Sequence, residues 1–394
     1  MNKKDQLGLL GGVFSLMVAM GIGRFAYTPI LPLMQADLRF SDALAGYLAS
    51  GNYAGYFAGA TLTGILPINK HRIFYLRAGL AASTITTCLM GLTHSYVLML
   101  MIRFVSGVAS AFTFVAASGI VLDRLAAAGK THYAGFFYSG VGLGILLSTL
   151  FVPALNKWFM WEGIWIGLSI FGGILTLLAW RWIREPPDRP RKTDQQIAHS
   201  RGPRWLPWFI LAYGLEGLGY IVTGTFIVSI AERTSSFVLD PSLVWMVAGA
   251  GAIPSCVLWS ALANRRGYVK SLIMAMVLQS FGIALPVIWP GPSGLIVSAL
   301  LFGATFMGIT TMATTLARQM SPANSARIIG YLTAVYAAGQ MAGPAIAGWF
   351  SSHTQSFHSA LLGAAGAIFI GGVLFAGGIR YDRQKMDMGN GHSE

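Results

Sequence analysis

The stretch GIGRFAYTPILP, Gly21–Pro32, lies within an apolar segment that is almost free of charge from Leu7 to Met34. An apolar run of this length is about what an α-helix needs to cross the hydrocarbon core of a bilayer. Arg24 lies near the middle of the segment, where burying a charge costs on the order of 3 kcal/mol or more. A cation at that depth predicts a position in the interior of a helix bundle, where charged side chains pair or serve a function.

Apolar segments of similar length recur along all 394 residues, of which 55% are hydrophobic and only 10% charged. Soluble proteins carry about a quarter charged residues, so this composition indicates an all-α polytopic membrane protein. The first segment is too long for a signal peptide and is interpreted as a retained span. Twelve transmembrane helices are predicted, at about 7–33, 41–66, 73–92, 96–122, 132–155, 160–183, 206–231, 242–263, 268–289, 292–317, 326–350 and 358–380.

The net charge of +13 is explained by topology. Of the 27 Lys and Arg residues, 22 fall on the side that carries both termini, three on the opposite side, and two, Arg24 and Arg103, within spans. The positive-inside rule therefore predicts cytoplasmic termini in a bacterial plasma or inner membrane. Nucleic acid is not needed as a partner to explain the basic charge.

A charged, proline-rich stretch divides the chain into six spans and six. It predicts a cytoplasmic linker over 184–205, between an N-terminal bundle, 1–183, and a C-terminal bundle with a short tail, 206–394.

The two halves match each other at an offset near 196. Gly21-Ile-Gly23-Arg24 aligns with Gly217-Leu-Gly219-Tyr220, and Gly107 aligns with Gly303. Parallel six-span repeats predict two bundles related by a pseudo-two-fold axis, with the solute site between them near the midplane.

The segments GIGRFAYTPILPLM from Gly21, RFVSGVASA from Arg103 and YGLEGLGY from Tyr213 resemble the major facilitator superfamily, and within it the bacterial YbfB/YjiJ-like branch. The resemblance covers essentially the full length and implies the major facilitator fold and secondary active transport. The loop after the second span resembles the family's gating motif, although Ile68 stands where an acidic residue belongs. The gating residues implied across both copies are Gly64, Arg72, Arg265 and Gly267.

Three ionisable side chains lie deep within spans: Arg24, Arg103 and Glu216. Glu216 shares one helical face with two tyrosines, and that face is predicted to line a central cavity. Arg24 is predicted to share a face with Tyr27. The candidate residues for solute binding and proton coupling are Arg24, Tyr27, Asn52, Tyr56, Arg103, Tyr213, Glu216, Tyr220, Gln279 and Gln340.

Two interpretations of these charges stay open. In the first, Glu216 takes up and releases a proton while Arg24 or Arg103 binds an anionic group of the solute. In the second, Glu216 permanently neutralises an arginine, and Arg103 is structural. Two buried cations against one buried acid favour an anionic solute.

The leading prediction is a monomeric, proton-coupled secondary transporter of a small organic solute that works by alternating access. The alternative is a membrane sensor or receptor on a transporter scaffold. An enzyme is not expected, because metalloprotease, nucleophile-elbow and paired-carboxylate patterns are missing. No cofactor or metal is expected, since RLAAAGKT, 124–131, lacks the first glycine of a phosphate loop and Cys88 and Cys256 lack metal-ligand spacing.

Two smaller features complete the predictions. Pro29 and Pro32 are expected to bend the first span. The small-residue stripes Gly51–Gly55–Gly59 and Gly339–Gly343 predict either close helix packing or a sliding gate surface between the halves.

Overall fold

The computed structural model describes residues 3–66, 68, 71–184, 205–320 and 325–382, with the backbone alone at 325–327. The predicted linker over 184–205 lies almost wholly outside these residues, so the division into domains stays a prediction.

Helices account for every predicted span. In chain order they are α1 (Lys3–Leu16), α2 (Tyr27–Leu38), α3 (Asp42–Ile65), α4 (Arg72–Met90), α5 (Tyr96–Ala127), α6 (Ala134–Asn156), α7 (Trp161–Trp182), α8 (Leu206–Arg233), α9 (Leu243–Arg266), α10 (Tyr268–Ile288), α11 (Pro292–Met320), α12 (Ser325–Thr354) and α13 (His358–Leu374). Together, α1 and α2 form the first span. Below, the terminal side is the side that carries residue 3, and the far side is opposite.

Ten helical stretches among the described residues are long and apolar enough to cross a membrane. The two spans outside this set are α3 and α12, which are rich in glycine and alanine. These two helices pack against each other between the halves of the chain. Their lower apolarity therefore coincides with a position that is partly screened from lipid by protein.

The first span is broken, where the sequence predicted one helix bent at its prolines. A π-helical turn, Met17–Ile22, follows α1, and α2 begins only at Tyr27. The amides of Gly23 and Phe25 donate to carbonyls five residues back, at 2.8 and 3.0 Å. Such π-turns are frequent at functional sites, and this one directly precedes Arg24. The break lies ahead of both prolines, and Pro32 is accommodated within α2.

Helix packing repeats at the offset that the sequence predicted. A Cβ atom at Gly107 would collide with the carbonyl of Asn52, and one at Gly303 would collide with the carbonyl of Ala248. The second contact is the first one shifted by 196 residues. Across the halves, the Thr28 hydroxyl donates to the carbonyl of Gly224 at 2.5 Å, again 196 residues away. Equivalent positions therefore pack alike within each half and meet each other at the interface, as pseudo-two-fold symmetry requires.

The glycine stripes pack within their own halves. Gly55 and Gly59 lie against α5, whereas Gly339 and Gly343 lie against α8. Close packing, one of the two predicted interpretations, accounts for both stripes. The close approach between α3 and α12 is made at Gly46 and Gly348 instead.

Enlarging the glycine at the α3–α5 contact is expected to destabilise the protein. Gly107→Leu forces a side chain into the backbone of α3, and overpacking of this kind costs about 1–3 kcal/mol or more. Gly363→Leu is the matched control, because a Cβ there meets no atom within 4 Å. Thermal unfolding of the two purified variants tests the contact, and equal melting temperatures would contradict it.

Candidate functional site

Arg24 lies at the centre of the bundle, in the short turn between the π-helix and α2. Its side chain is 3% exposed. The guanidinium carbon lies 4.6 Å from the ring centres of both Tyr53 and Tyr56 and 5.4 Å from that of Phe25. Its Nε and Nη2 atoms are buried and have no hydrogen-bond partner among the described residues. Arg24 is therefore a desolvated cation stabilised by aromatic rings rather than by an acid.

Arg103 has a different environment, although it is equally deep. Its guanidinium donates to the carbonyls of Gly23 and Arg24, at 3.2 and 3.5 Å. It also lies 4.6 Å from the ring centre of Tyr27. The carbonyls freed by the break in the first span thus find their donor on α5. These contacts favour a role for Arg103 in positioning Arg24.

Tyr27 and Asn52 belong to the same support and lie apart from the Arg24 guanidinium. The Tyr27 hydroxyl donates to the carbonyl of Ala45 at 2.9 Å, and its ring lies against Arg103, whereas Arg24 lies against Tyr53 and Tyr56. The Asn52 amide donates to the carbonyl of Arg103 at 3.0 Å and fixes α3 against α5.

Glu216 is the buried acid of the other half. It is 0% exposed, and neither carboxylate oxygen accepts a well-formed hydrogen bond from a described residue. Gln279 and Tyr336 are its polar neighbours. Gln279 is also fully buried, and both of its amide atoms lack a partner among the described residues. A buried polar group without a partner costs free energy, so Glu216 and Gln279 differ from the apolar core around them and are candidates for a functional role.

Aromatic rings separate the guanidinium of Arg24 from the carboxyl group of Glu216. Tyr213 stacks on Tyr336 with ring centres 4.3 Å apart, and Tyr336 lies 5.7 Å from Tyr220. The amide of Gln340 donates to the Tyr220 hydroxyl. Tyr220, the repeat-mate of Arg24, is close enough to interact with its charge.

The structure therefore brings most of the predicted residues into one cluster: Arg24, Tyr56, Tyr213, Glu216, Tyr220, Gln279 and Gln340. Sequence reasoning missed Tyr53 and Tyr336. Tyr53 precedes Tyr56 by three residues, a spacing that places both on one helical face and could have identified it.

A second cluster, on the far side, was also missed. Arg233 donates two hydrogen bonds to the carboxylate of Asp42, at 2.8 and 2.6 Å. Ser351 and Gln35 donate to the same carboxylate, at 2.7 and 2.9 Å. We call these four residues the far-side clamp. It joins α2 and α3 of one half to α8 and α12 of the other, and two-point arginine–carboxylate pairs of this kind are strong and directional.

The implied gating residues lie on the terminal side. Arg72 forms an ion pair with Asp123 of α5 at 2.5 Å, so an acid absent from the loop motif is supplied by another helix. A Cβ atom at Gly64 would meet no atom of the described residues within 4 Å. Gly267 has a φ of +95°, which favours glycine, between the end of α9, where Arg265 lies, and the start of α10. A gating role for these four residues stays a prediction.

One group of potential metal ligands occurs among the described residues, although the sequence predicted none. Asp37, His94 and Glu162 place their ligand atoms within 4.8 Å of one another on the far side. His94 lies 3.0 Å from Glu162, and the indole of Trp161 donates to Asp37 at 2.9 Å. These contacts connect α2, the loop before α5 and the start of α7.

The buried charges and the paired halves agree with comparisons to known proteins. The profile of the family described as "Uncharacterised MFS-type transporter YbfB" matches residues 16–376. The chain belongs to this family. It is therefore a multi-pass membrane transporter of the major facilitator superfamily, and the predicted family and fold class are confirmed.

Two relatives show how far the likeness extends. This transporter is 27% identical over 366 residues to the uncharacterised transporter YceJ of Bacillus subtilis (strain 168), which covers 91% of the chain and 92% of YceJ. Its fold is similar to that of the nucleoside transporter NupG, with a TM-score of 0.69, 16% identity and coverage of 96% and 99% of the two chains. A mutant of NupG matches with a TM-score of 0.73 over 95% and 99%. At that identity the similarity to NupG shows the fold alone.

Removing the far-side clamp of this transporter is expected to open its far side. Arg233→Ala deletes the two-point pair and leaves the buried Asp42 carboxylate without its cation, so a cysteine placed below it, Ser229→Cys, should react several-fold faster with a membrane-impermeant maleimide. The background is Cys88→Ser with Cys256→Ser. Arg39→Ala, an exposed far-side arginine, is the control. Unchanged labelling in the Arg233 variant would contradict a clamp.

Proposed function

We propose that this protein is a proton-coupled transporter of a small organic anion that binds Arg24 between the two halves. The observation that carries the proposal is the buried guanidinium of Arg24, whose Nε and Nη2 atoms have no partner among the described residues. A buried cation favours a ligand of opposite sign, because the ligand replaces the hydration that burial removed. The solute therefore supplies the partner that the chain itself does not.

The contacts of the two buried arginines support this assignment. Arg103 is bonded to the backbone beside Arg24, whereas Arg24 contacts mainly rings. Glu216 does not pair with Arg24 in this conformation, since both oxygens of Glu216 and the Nε and Nη2 atoms of Arg24 are buried without a well-formed hydrogen bond among the described residues. This arrangement disfavours permanent neutralisation, the alternative that the sequence left open.

Proton coupling is assigned to Glu216, the carboxyl buried beside Gln279 and Tyr336. A carboxyl shielded from water favours its neutral form, and one reached by water favours its charged form. Movement between a closed and an open conformation would load and release a proton there. Tyr336 and Tyr220, which lie between Glu216 and Arg24, would couple the protonation of Glu216 to the binding of solute at Arg24.

The contacts between the halves support alternating access as the proposed mechanism. Hydrogen bonds join the halves from the level of Phe25, whose carbonyl accepts from Trp245, to the clamp on the far side. Thr61, Leu62 and Ile65 at the terminal end of α3 are exposed. We infer that the structure represents a conformation closed on the far side, which becomes the periplasmic or extracellular side if the termini are cytoplasmic.

Counterflow in proteoliposomes tests the proposal. Vesicles loaded with a candidate anion should take up the labelled anion from outside, whereas a sensor or receptor would exchange nothing. Neutral nucleosides form a second arm, because NupG, whose fold is similar, is a nucleoside transporter. Exchange of nucleosides without exchange of any organic anion would overturn the assignment of Arg24 to an anionic group.

A further inference from the structure

The unpartnered edge of Arg24 has a specific shape. Nε and Nη2 lie on the same edge of a guanidinium, and their N–H bonds point in parallel toward the two oxygens of a carboxylate. These are the two atoms of Arg24 that are buried without a partner among the described residues. The geometry therefore fits a planar carboxylate better than a single point charge such as a halide.

The surroundings of this edge are aromatic on both halves of the protein. The rings of Phe25, Tyr53 and Tyr56 contact the guanidinium from the N-terminal half. From the other half, Tyr220 and Tyr336 are close enough to interact with its charge. Most of the groups that a bound solute would meet next to the carboxylate are thus ring faces and ring edges.

The rings of the C-terminal half form an ordered array. Tyr220 lies nearly parallel to Phe306, with ring centres 5.9 Å apart and planes 9° apart. Phe302 continues the array, 5.1 Å from Phe306 with planes 16° apart. Near-parallel rings at these separations are offset, an arrangement that also suits a further flat ring stacked beside them.

The array offers few donors to a hydrophilic anion. Phe302 and Phe306 carry none, and the Tyr220 hydroxyl accepts a hydrogen bond from the Gln340 amide. A hydrophilic anion such as phosphate or a short aliphatic dicarboxylate would lose much of its hydration against the two phenylalanine rings, and that loss opposes binding. A flat apolar ring loses little hydration and gains stacking.

We propose that the transported anion is an aromatic carboxylate, whose acid group binds Nε and Nη2 of Arg24 while its ring stacks on the Tyr220–Phe306 array. This inference rests on the proposed function and narrows its solute class. It assigns specificity to Phe306, a residue without charge or hydrogen-bonding groups.

Matched pairs of acids test the inference on the purified full-length protein. Benzoate is compared with cyclohexanecarboxylate, and phenylacetate with cyclohexylacetate, by calorimetry and by thermal shift. Each pair has the same charge and nearly the same size but differs in the aromatic ring. We expect the aromatic member to bind about fivefold more tightly, within the roughly two- to tenfold that a stacking energy of about 0.5–1.5 kcal/mol gives.

The outcomes separate the inference from the proposed function. Equal affinities within both pairs would overturn the aromatic inference and leave the anion site standing. Binding of neutral benzamide as tightly as benzoate, or no binding of any acid, would overturn the anion site itself. Any of these results removes the aromatic carboxylate as the solute class.

Variants locate the ring. Phe306→Leu should weaken benzoate at least about fivefold and leave cyclohexanecarboxylate within about twofold, because leucine keeps apolar bulk but removes the stacking face. Phe369→Leu is the matched control on α13, where the phenylalanine is exposed. If Phe306→Leu does not fold, Tyr220→Phe, which keeps the ring, should retain the aromatic preference. A loss of affinity for both acids alike in Phe306→Leu would contradict stacking.

Discussion

Replacing Arg24 with methionine is expected to remove binding of the anionic solute while the protein remains at least as stable. Hydrogen bonds to charged groups contribute about 1.5–3 kcal/mol each, so losing a two-point contact should weaken binding about 100-fold or more. Arg24→Lys keeps the charge and loses the fork, and should weaken binding about tenfold or more. Calorimetric titration and thermal unfolding of the same preparations measure both quantities.

Arg103→Met is the matched variant, because the two arginines are equally buried. Arg103 donates to the carbonyls of Gly23 and Arg24, and methionine would remove both bonds, although the Gly23 carbonyl would keep the Ser106 hydroxyl as a donor. We expect the melting temperature to fall for Arg103→Met and to stay level or rise for Arg24→Met, since an unpaired buried cation is itself costly. The reverse order of stabilities would show that Arg24 is a structural residue.

A double variant separates solute binding from pairing between the halves. If Arg24 served to neutralise Glu216, Arg24→Ala combined with Glu216→Ala should recover the binding that Arg24→Ala loses. The described part of the chain shows no ion pair between the two side chains in this conformation, so we expect no recovery. Restored binding in the double variant would sink the anion site.

Glu216→Gln is expected to abolish solute accumulation driven by a proton gradient and to leave solute exchange at equal pH within about twofold. Glutamine keeps the size and the hydrogen-bonding capacity of the side chain, but its amide cannot take up or release a proton as a carboxyl group does. Transport of labelled solute into proteoliposomes, with and without an imposed pH gradient, measures the two activities separately.

Glu232→Gln is the control for this substitution, because Glu232 is an exposed acid near the far end of the same helix. Both activities should persist in that variant. Gradient-driven accumulation that survives in Glu216→Gln would mean that the coupling proton is carried elsewhere.

Hydropathy alone located the helices closely. The predicted span 268–289 is observed as Tyr268–Ile288, and 206–231 as Leu206–Arg233. Such agreement is expected, because the length of an apolar run and the thickness of a bilayer constrain the same segment. The break at Met17–Ile22 was not predictable in this way, because a π-turn leaves the hydropathy of the segment unchanged. It also depends on a donor from another helix, Arg103, for the carbonyls that it frees.

The candidate site was predictable only in part. Rarity of charge in apolar spans identified Arg24, Arg103 and Glu216, but charge alone does not separate the first two. The distinction depends on which one meets backbone carbonyls, and that is decided by the break in the first span. The far-side clamp gave no local signal either, because its partners Asp42 and Arg233 are 191 residues apart.

The modest apolarity of α3 and α12 has a consequence for biogenesis. Each segment of a growing membrane protein enters the bilayer according to its hydrophobicity, and α3 and α12 are less hydrophobic than the other spans. Their retention in the membrane therefore depends on neighbouring helices. For α12 the neighbour within its half, α8, is already synthesised, whereas α3 has to wait for α5. In the N-terminal half, α3 is therefore synthesised before the helix that stabilises it. A ribosome stalled after α3 would leave that helix poorly retained in the membrane.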